Sequence, residues 1–382
     1  MLRHLTFALF MFGTLGMSQT TLAEPLPFTK DNWAFVGGTK LEEKAGQQAV
    51  RLGVRKKSDD VVGFGMVVAK TAPFLNGIIE YDLLFDATRS FGGLRFRTQS
   101  RGNFETFYMR AHQSGNPDAN QYMPEYNGVP SWELHYGKQY SSPTVYPHGK
   151  WIHVKLVVND GLADIYIGDK TKPEYTVNLL REAKKGGLAL YGLNLSGPVW
   201  VANFNATPMD KAKIVGTPAP VVVGKAGTVE KWQISDAFDG AKLDGKTRLS
   251  ASDTKMKYHT MVAKKSGQVN LSILQGVAKG ADTVFARLNI HSDSDQIKAF
   301  EFGFSDFGTV FLNGNILFSG MDAPYTRDYR FLGTVGLFDT VFLNLKKGKN
   351  ELIIAVREST AFQTGWAVQG RFRDTSGIDL HK

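Results

Sequence analysis

Short runs of alternating apolar and polar residues, broken by glycine, asparagine and aspartate, recur along almost the whole chain. Ile152, Val154, Leu156 and Val158 alternate with His153, Lys155 and Val157, the period-two pattern of a strand with one face in a core. Asn159-Asp160-Gly161 then turns the chain into 163–167, a partner strand. Similar runs cover 61–69, 77–86, 93–98, 104–111, 131–136, 187–191 and 199–204. In 131–136 the pattern places Trp132, Leu134 and Tyr136 on one face, opposite Glu133 and His135. Only 178–185 reads as a helix, and a short one. Later runs fall at 283–290, 298–304, 309–312, 341–343, 351–356 and 365–372. The sharpest local signal is Asn313-Gly314, set between strands 308–312 and 315–318. Both turn residues of a two-residue hairpin must accept positive φ, which Asn and Gly do at least cost. Many strands without an α/β rhythm predict an all-β chain built as two-sheet sandwiches.

Composition divides the chain. Residues 209–228, MDKAKIVGTPAPVVVGKAGT, carry small residues, two prolines and no aromatic, which reads as a Pro/Gly/Ala linker. The expected plan is a β-sandwich over 24–208, the linker over 209–228 and a second β-sandwich (jelly roll) over 229–382. Residues 1–23 read as an export signal: Arg3 precedes an apolar run that ends in Thr21-Leu22-Ala23, a small-residue cleavage site. That run is below the ~20 residues a membrane span needs. An exported chain, periplasmic or extracellular, is expected, with no membrane span in the mature protein. Cysteine is absent, so stability must come from the cores. The net charge is +9, but the basic groups (Arg55-Lys56-Lys57, Lys184-Lys185, Lys264-Lys265, Lys346-Lys347) sit beside turns rather than in one stripe. No nucleic-acid partner is inferred; the field favours acidic glycans or an anionic cell surface.

Two resemblances follow from these elements. The 77–85 strand, the 151–158 strand with its 163–167 partner, and Gly186-Gly187-Leu188-Ala189-Leu190-Tyr191 resemble the laminin G-like/concanavalin A-like sandwich, including 3-keto-disaccharide hydrolase-type domains. The 303–356 stretch, with Trp232–Phe238 as entry segment, resembles the galactose-binding-like jelly roll of secreted carbohydrate-active proteins. The resemblances imply a fold and a carbohydrate-rich setting; they do not name a reaction.

The densest polar-aromatic segment is 107–136. A sugar needs an aromatic platform for its C–H face and forked polar groups for its hydroxyls, and this segment supplies both. The expected site is Arg110, His112, Asn116, Asp118, Asn120, Tyr122 and Trp132, holding a glycan or cell-envelope polysaccharide. The alternative for the same segment is a long loop that packs its own aromatics and satisfies its own backbone. A glycoside-cleaving enzyme using Glu133, His112 and Asp118 is a second reading of the function, and an envelope adhesion or scaffold protein a third. Against a retaining glycosidase, Glu80 and Asp82 share a strand face, but Leu84 and Phe85 stand where a second catalytic acid is required. No Gly-x-Ser-x-Gly elbow or His-Glu-x-x-His pair occurs. No cofactor is expected. His291-Ser-Asp293-Ser-Asp295 is acid-rich enough to hold a structural Ca²⁺, although an Asx-type turn explains it as well. Tyr325–Arg330 reads as a loop pinned by Asp328 to a neighbouring arginine, with a ligand mouth as the alternative.

Overall fold

The alternating runs become antiparallel strands, and each sends its apolar side into one of two cores. In the computed structural model, which describes residues 24–54, 63–324, 326 and 335–380, the first sandwich pairs a six-stranded with a seven-stranded sheet. The six-stranded sheet runs in the order Trp33–Gly37, Gly63–Ala69, Gly187–Asn194, Ser90–Ser100, Asn103–Arg110, Asn120–Glu125. The seven-stranded sheet runs Tyr175–Asn178, Leu162–Ile167, Ile152–Asn159, Gly77–Phe85, Val199–Pro208, Gln47–Leu52, Thr39–Lys44. Val154, Leu156 and Val158 enter the core against Ile79, Tyr81 and Leu83, while His153 and Lys155 face outward, as the alternation requires. Leu94, Phe107, Tyr122 and Leu190 close that core from the other sheet.

The second sandwich follows the linker. Its seven-stranded sheet contains Thr283–Ser292, Gly348–Arg357, Phe307–Leu312 and Asn315–Met321, and its four-stranded sheet contains Gln296–Ser305 and Ala367–Phe372. Phe300, Phe302 and Phe304, two residues apart on one strand, project into the core with Trp232 and Trp366. The Asn313-Gly314 turn forms as expected, with φ of 51° and 82°. No helix long and apolar enough to cross a membrane occurs among the described residues. The export signal, Arg55-Lys56-Lys57 and most of the Tyr325–Arg330 loop lie outside the described residues.

Two local expectations are corrected. Asn178 ends a strand and residues 179–185 are irregular rather than helical. Their amides leave the segment: Leu179 donates to Gly161 O, Leu180 to the Tyr122 hydroxyl and Arg181 to Glu105 Oε1. Partners in neighbouring strands outcompete the i−4 carbonyls of a short helix. Likewise 131–136 is not a strand; Trp132–Leu134 is a single 3₁₀ turn, closed by Leu134 N to Ser131 O and His135 N to Trp132 O. The turn breaks the expected two-faced pattern: Glu133, Leu134 and His135 are all buried, while Trp132 and Tyr136 stay half-exposed.

That turn is the seam between the sandwiches. Leu134 packs on Val335 and Ala367, and Val129 joins the second core. Asn127 Nδ2 donates to Ser272 O at 2.9 Å, Glu133 N to Thr364 O, and Ser305 Oγ to Glu133 Oε2 at 2.9 Å. Lys264 Nζ lies 3.0 Å from His135 Nε2, while His135 Nδ1 reaches Ser131 O. Burial, then the Lys264 charge, holds the imidazole neutral, so Nε2 accepts from the ammonium and Nδ1–H donates.

Candidate functional site

The strand alternation sorts the sequence-predicted residues onto different sides of the six-stranded sheet. Asn120 and Tyr122, 0% and 1% exposed, point inward. Asn120 Nδ2 donates to Ser142 O and Oγ and to Thr144 Oγ1, and the Tyr122 hydroxyl bonds Glu105 Oε2. Arg110, 4% exposed, lies on the outward side, but its guanidinium is occupied. Nη2 donates to the Tyr108 hydroxyl and Gln121 Oε1, both at 2.6 Å, and Nη1 to Asp118 O at 2.7 Å. The Asp118 carboxylate stands 4.0 Å from Arg110 Nε and is buried. His112 packs edge-on against Phe91, and burial followed by the charges of Arg89 and Arg110 lowers its pKa. Asn116 is exposed and bonds Gln113. The predicted set is therefore not brought together as one open site: two members are core, two form a closed pair, and Asn116 sits on a loop apart. Trp132 joins a larger surface, on which Arg110 also lies and which His112 borders through Phe91.

That surface is the outward face of the six-stranded sheet. Strand register aligns Phe64, Met66 and Val68 with Leu193, Tyr191 and Ala189. Next come Phe91, Gly93 and Arg95, then Arg110, Tyr108, Thr106 and Phe104, then Gln121, Met123 and Glu125. Tyr108, Met123 and Tyr191 form a small cluster, flanked by Phe64, Met66, Phe91 and Trp132. The cluster itself is buried, but the flanking rings of Phe64, Phe91 and Trp132 are half-exposed and offer faces and edges without the mobility of a loop.

Two charged groups lie on this face. The Arg95 guanidinium lies 4.1 Å from the centre of the Phe104 ring and 5.1 Å from that of Tyr191. Its Nη1 is 3.9 Å from Met66 Sδ, and its Nε has no hydrogen-bond partner. Glu125 ends the edge strand half-exposed, and its carboxylate accepts no hydrogen bond among the described residues. Burial pushes its pKa up to about 7, against the opposing pull of Arg95 and Arg181. A half-exposed cation stacked on rings and a half-exposed carboxyl whose pKa is raised to about 7 can bind a polar ligand that also presents a flat apolar side.

Polar density along the sequence pointed to 110–136 and passed over two charged residues of this neighbourhood. Arg95 and Glu125 are separated by thirty positions and sit in ordinary strand runs. The signal that would have found them is parity: Phe91, Gly93 and Arg95 share a face, as do Gln121, Met123 and Glu125. Elsewhere, Glu80 and Asp82 do not simply face water. They bracket His153, with Asp82 Oδ1 2.9 Å from Nδ1 and Glu80 Oε1 3.5 Å from Nε2, and Asp82 and then Glu80 raise the imidazole pKa to about 9. In the 291–295 segment Asp295 accepts from Lys347 N and Lys346 Nζ, tying two turns together. No group of three metal-ligating side chains is placed to hold an ion among the described residues.

No protein-family profile matches the chain, and no curated protein does. Among solved structures, carbohydrate-binding module CBM66 from Bacillus subtilis is similar over 45% of this chain and 93% of its own, at 14% identity and a TM-score of 0.33. A Bacillus licheniformis β-glucanase is similar over 50% of this chain and 100% of its own, at 10% identity and a TM-score of 0.36. The exoplasmic/lumenal domain of VIP36, in its Ca²⁺/Man3GlcNAc-bound form, is similar over 52% of this chain and 90% of its own, at 13% identity and a TM-score of 0.34. These likenesses are distant and cover about half of the chain; what it binds must be argued from its own residues.

Proposed function

We propose that the protein is a carbohydrate-binding protein that holds a glycan on the outward face of its six-stranded sheet. The reading rests on Arg95, a half-exposed guanidinium stacked on rings, and on Glu125, whose half-exposed carboxyl ends the edge strand of the same face and accepts no hydrogen bond among the described residues. Sugar C–H faces suit the half-exposed rings of Phe64, Phe91 and Trp132, and adjacent hydroxyls suit a fork of donors and acceptors. Binding is favoured over hydrolysis because the groups that shift the Glu125 pKa are Arg95 and Arg181, with no second carboxyl among them. Two carboxyls about 5–10 Å apart are the usual requirement of glycoside cleavage. Of the acids expected for a hydrolase, Glu133 is enclosed in the seam and Asp118 is paired to Arg110. A glycan array probed with residues 24–382, as wild type, Arg95→Gln and Glu125→Gln, tests this. Binding by the wild type that either substitution weakens by about tenfold, with unchanged melting, is expected. Equal array signals from all three would remove the sheet face as the site.

A further inference from the structure

Beyond the sheet face, a separate pocket of about 270 Å³ opens at the edge of the first sandwich, beside the seam. Arg97, Gln99, Asn103, Glu105, Tyr126, Asn127, Arg181, Glu182 and Lys184 line it, and Ile273 of the second sandwich completes the rim. Its base is unusual. Arg97 is 2% exposed, donates through Nε to Leu75 O at 2.8 Å and through Nη2 to Asn76 Oδ1 at 3.0 Å, and leaves Nη1 without a partner. A buried guanidinium N–H without an acceptor is costly. The same residue has φ of 48°, in the left-handed region, at a bulge where the sheet register shifts. Backbone strain of this kind in a non-glycine residue concentrates at binding sites.

The rest of the lining sets the charge. Arg181 lies over the Tyr126 ring, 4.5 Å from its centre, and its Nη1 is held by Glu125 O at 2.7 Å and Asn103 Oδ1 at 3.3 Å. Lys184 is exposed and pairs with the equally exposed Glu182 at 2.7 Å. The one buried acid, Glu105, already accepts from the Tyr122 hydroxyl and from Arg181 N. Three cations therefore meet one exposed and one occupied carboxyl. The side-chain amides of Gln99, Asn103 and Asn127 surround them. Two guanidinium groups on fixed stems suit a planar carboxylate, and amides around it suit hydroxyls.

We propose that this pocket binds the carboxylate of an acidic sugar, a uronic acid, with Arg97 at its base and Arg181 and Lys184 at its mouth. Titration calorimetry of residues 24–382 with glucuronate, glucose and sulfate tests it, on the wild type, Lys184→Gln, Arg181→Lys and the Arg95→Gln/Glu125→Gln double variant. Glucuronate should bind, and glucose and sulfate should bind at least about tenfold more weakly. Lys184→Gln is on the surface and should weaken glucuronate without altering the melting temperature. Arg181→Lys keeps the charge but removes the fork, and should weaken it further. The double variant should retain glucuronate, which separates this pocket from the sheet face. Glucose or sulfate binding as tightly as glucuronate, or undiminished affinity in both pocket variants, would overturn the proposal while leaving the sheet-face reading intact.

Discussion

The turn at 131–136 and the outward face of the six-stranded sheet are made of the same kinds of side chain, and they end in opposite states. In the turn, Glu133 Oε2 meets Ser305, His135 meets Lys264 and its own Ser131, and Leu134 packs on the second sandwich, so most of its polar atoms, Glu133 Oε1 excepted, are taken up where two bodies join. On the sheet face, Arg95 Nε and the Glu125 carboxylate have no hydrogen-bond partner among the described residues, beside half-exposed rings. The difference is one of supply. The seam brings acceptors and donors from a second domain, whereas the sheet face has only its own neighbours. Rings and charges therefore mark a binding surface only where nothing else in the fold completes them.

Four experiments break or sharpen that contrast. Arg110→Ala strikes the closed side. It leaves Tyr108, Gln121 and Asp118 O without the guanidinium that joins them, and should cost about 3 kcal/mol or more in urea unfolding. Next is the seam's response to pH. Burial raises the Glu133 carboxyl from 4.5 to about 10, so the fold holds its proton more tightly than the unfolded chain does. Its contribution is fully present below about pH 4.5 and is lost as pH rises toward about 10. The melting temperature should fall by about 5 °C or more between pH 5 and pH 9. Glu133→Gln, which mimics the neutral acid, should flatten this slope; an unchanged slope would show that Glu133 does not set it.

The open side predicts a smaller, different signature. Glu125 titrates near pH 7, so its carboxylate becomes a better acceptor for sugar hydroxyls as pH rises from 6 to 8. Glycan affinity should rise several-fold over that interval in the wild type and stay level in Glu125→Gln. The smallest effect belongs to Asn116→Ala. The residue is exposed and its side chain is bonded only to Gln113 on its own loop, so stability should change by less than about 0.5 kcal/mol and array binding not at all. A loss of binding here would return the site to the 110–136 loop.

Much of the architecture was legible. Period-two runs such as Ile152–Asn159, and the Asn313-Gly314 turn, carry their meaning locally, because side-chain parity and backbone φ depend on few neighbours. The failures were segments whose partners lie far away in sequence. At 179–185 the amides are taken by Gly161, Tyr122 and Glu105, and at 131–136 the 3₁₀ turn is set against Thr364 and Ala367. The scatter of the predicted site residues has a related cause. Polar density is a property of a segment, but Arg95 and Glu125 meet only through strands that pair across the sheet.

The amino-acid order by itself determined an all-β chain of two sandwich-forming halves, since alternation and turn chemistry act within a few residues. Which polar groups remain free was decided by the tertiary structure alone. Freedom is the absence of a partner, and partners such as Lys264 for His135 or Ser305 for Glu133 arrive from more than a hundred residues away.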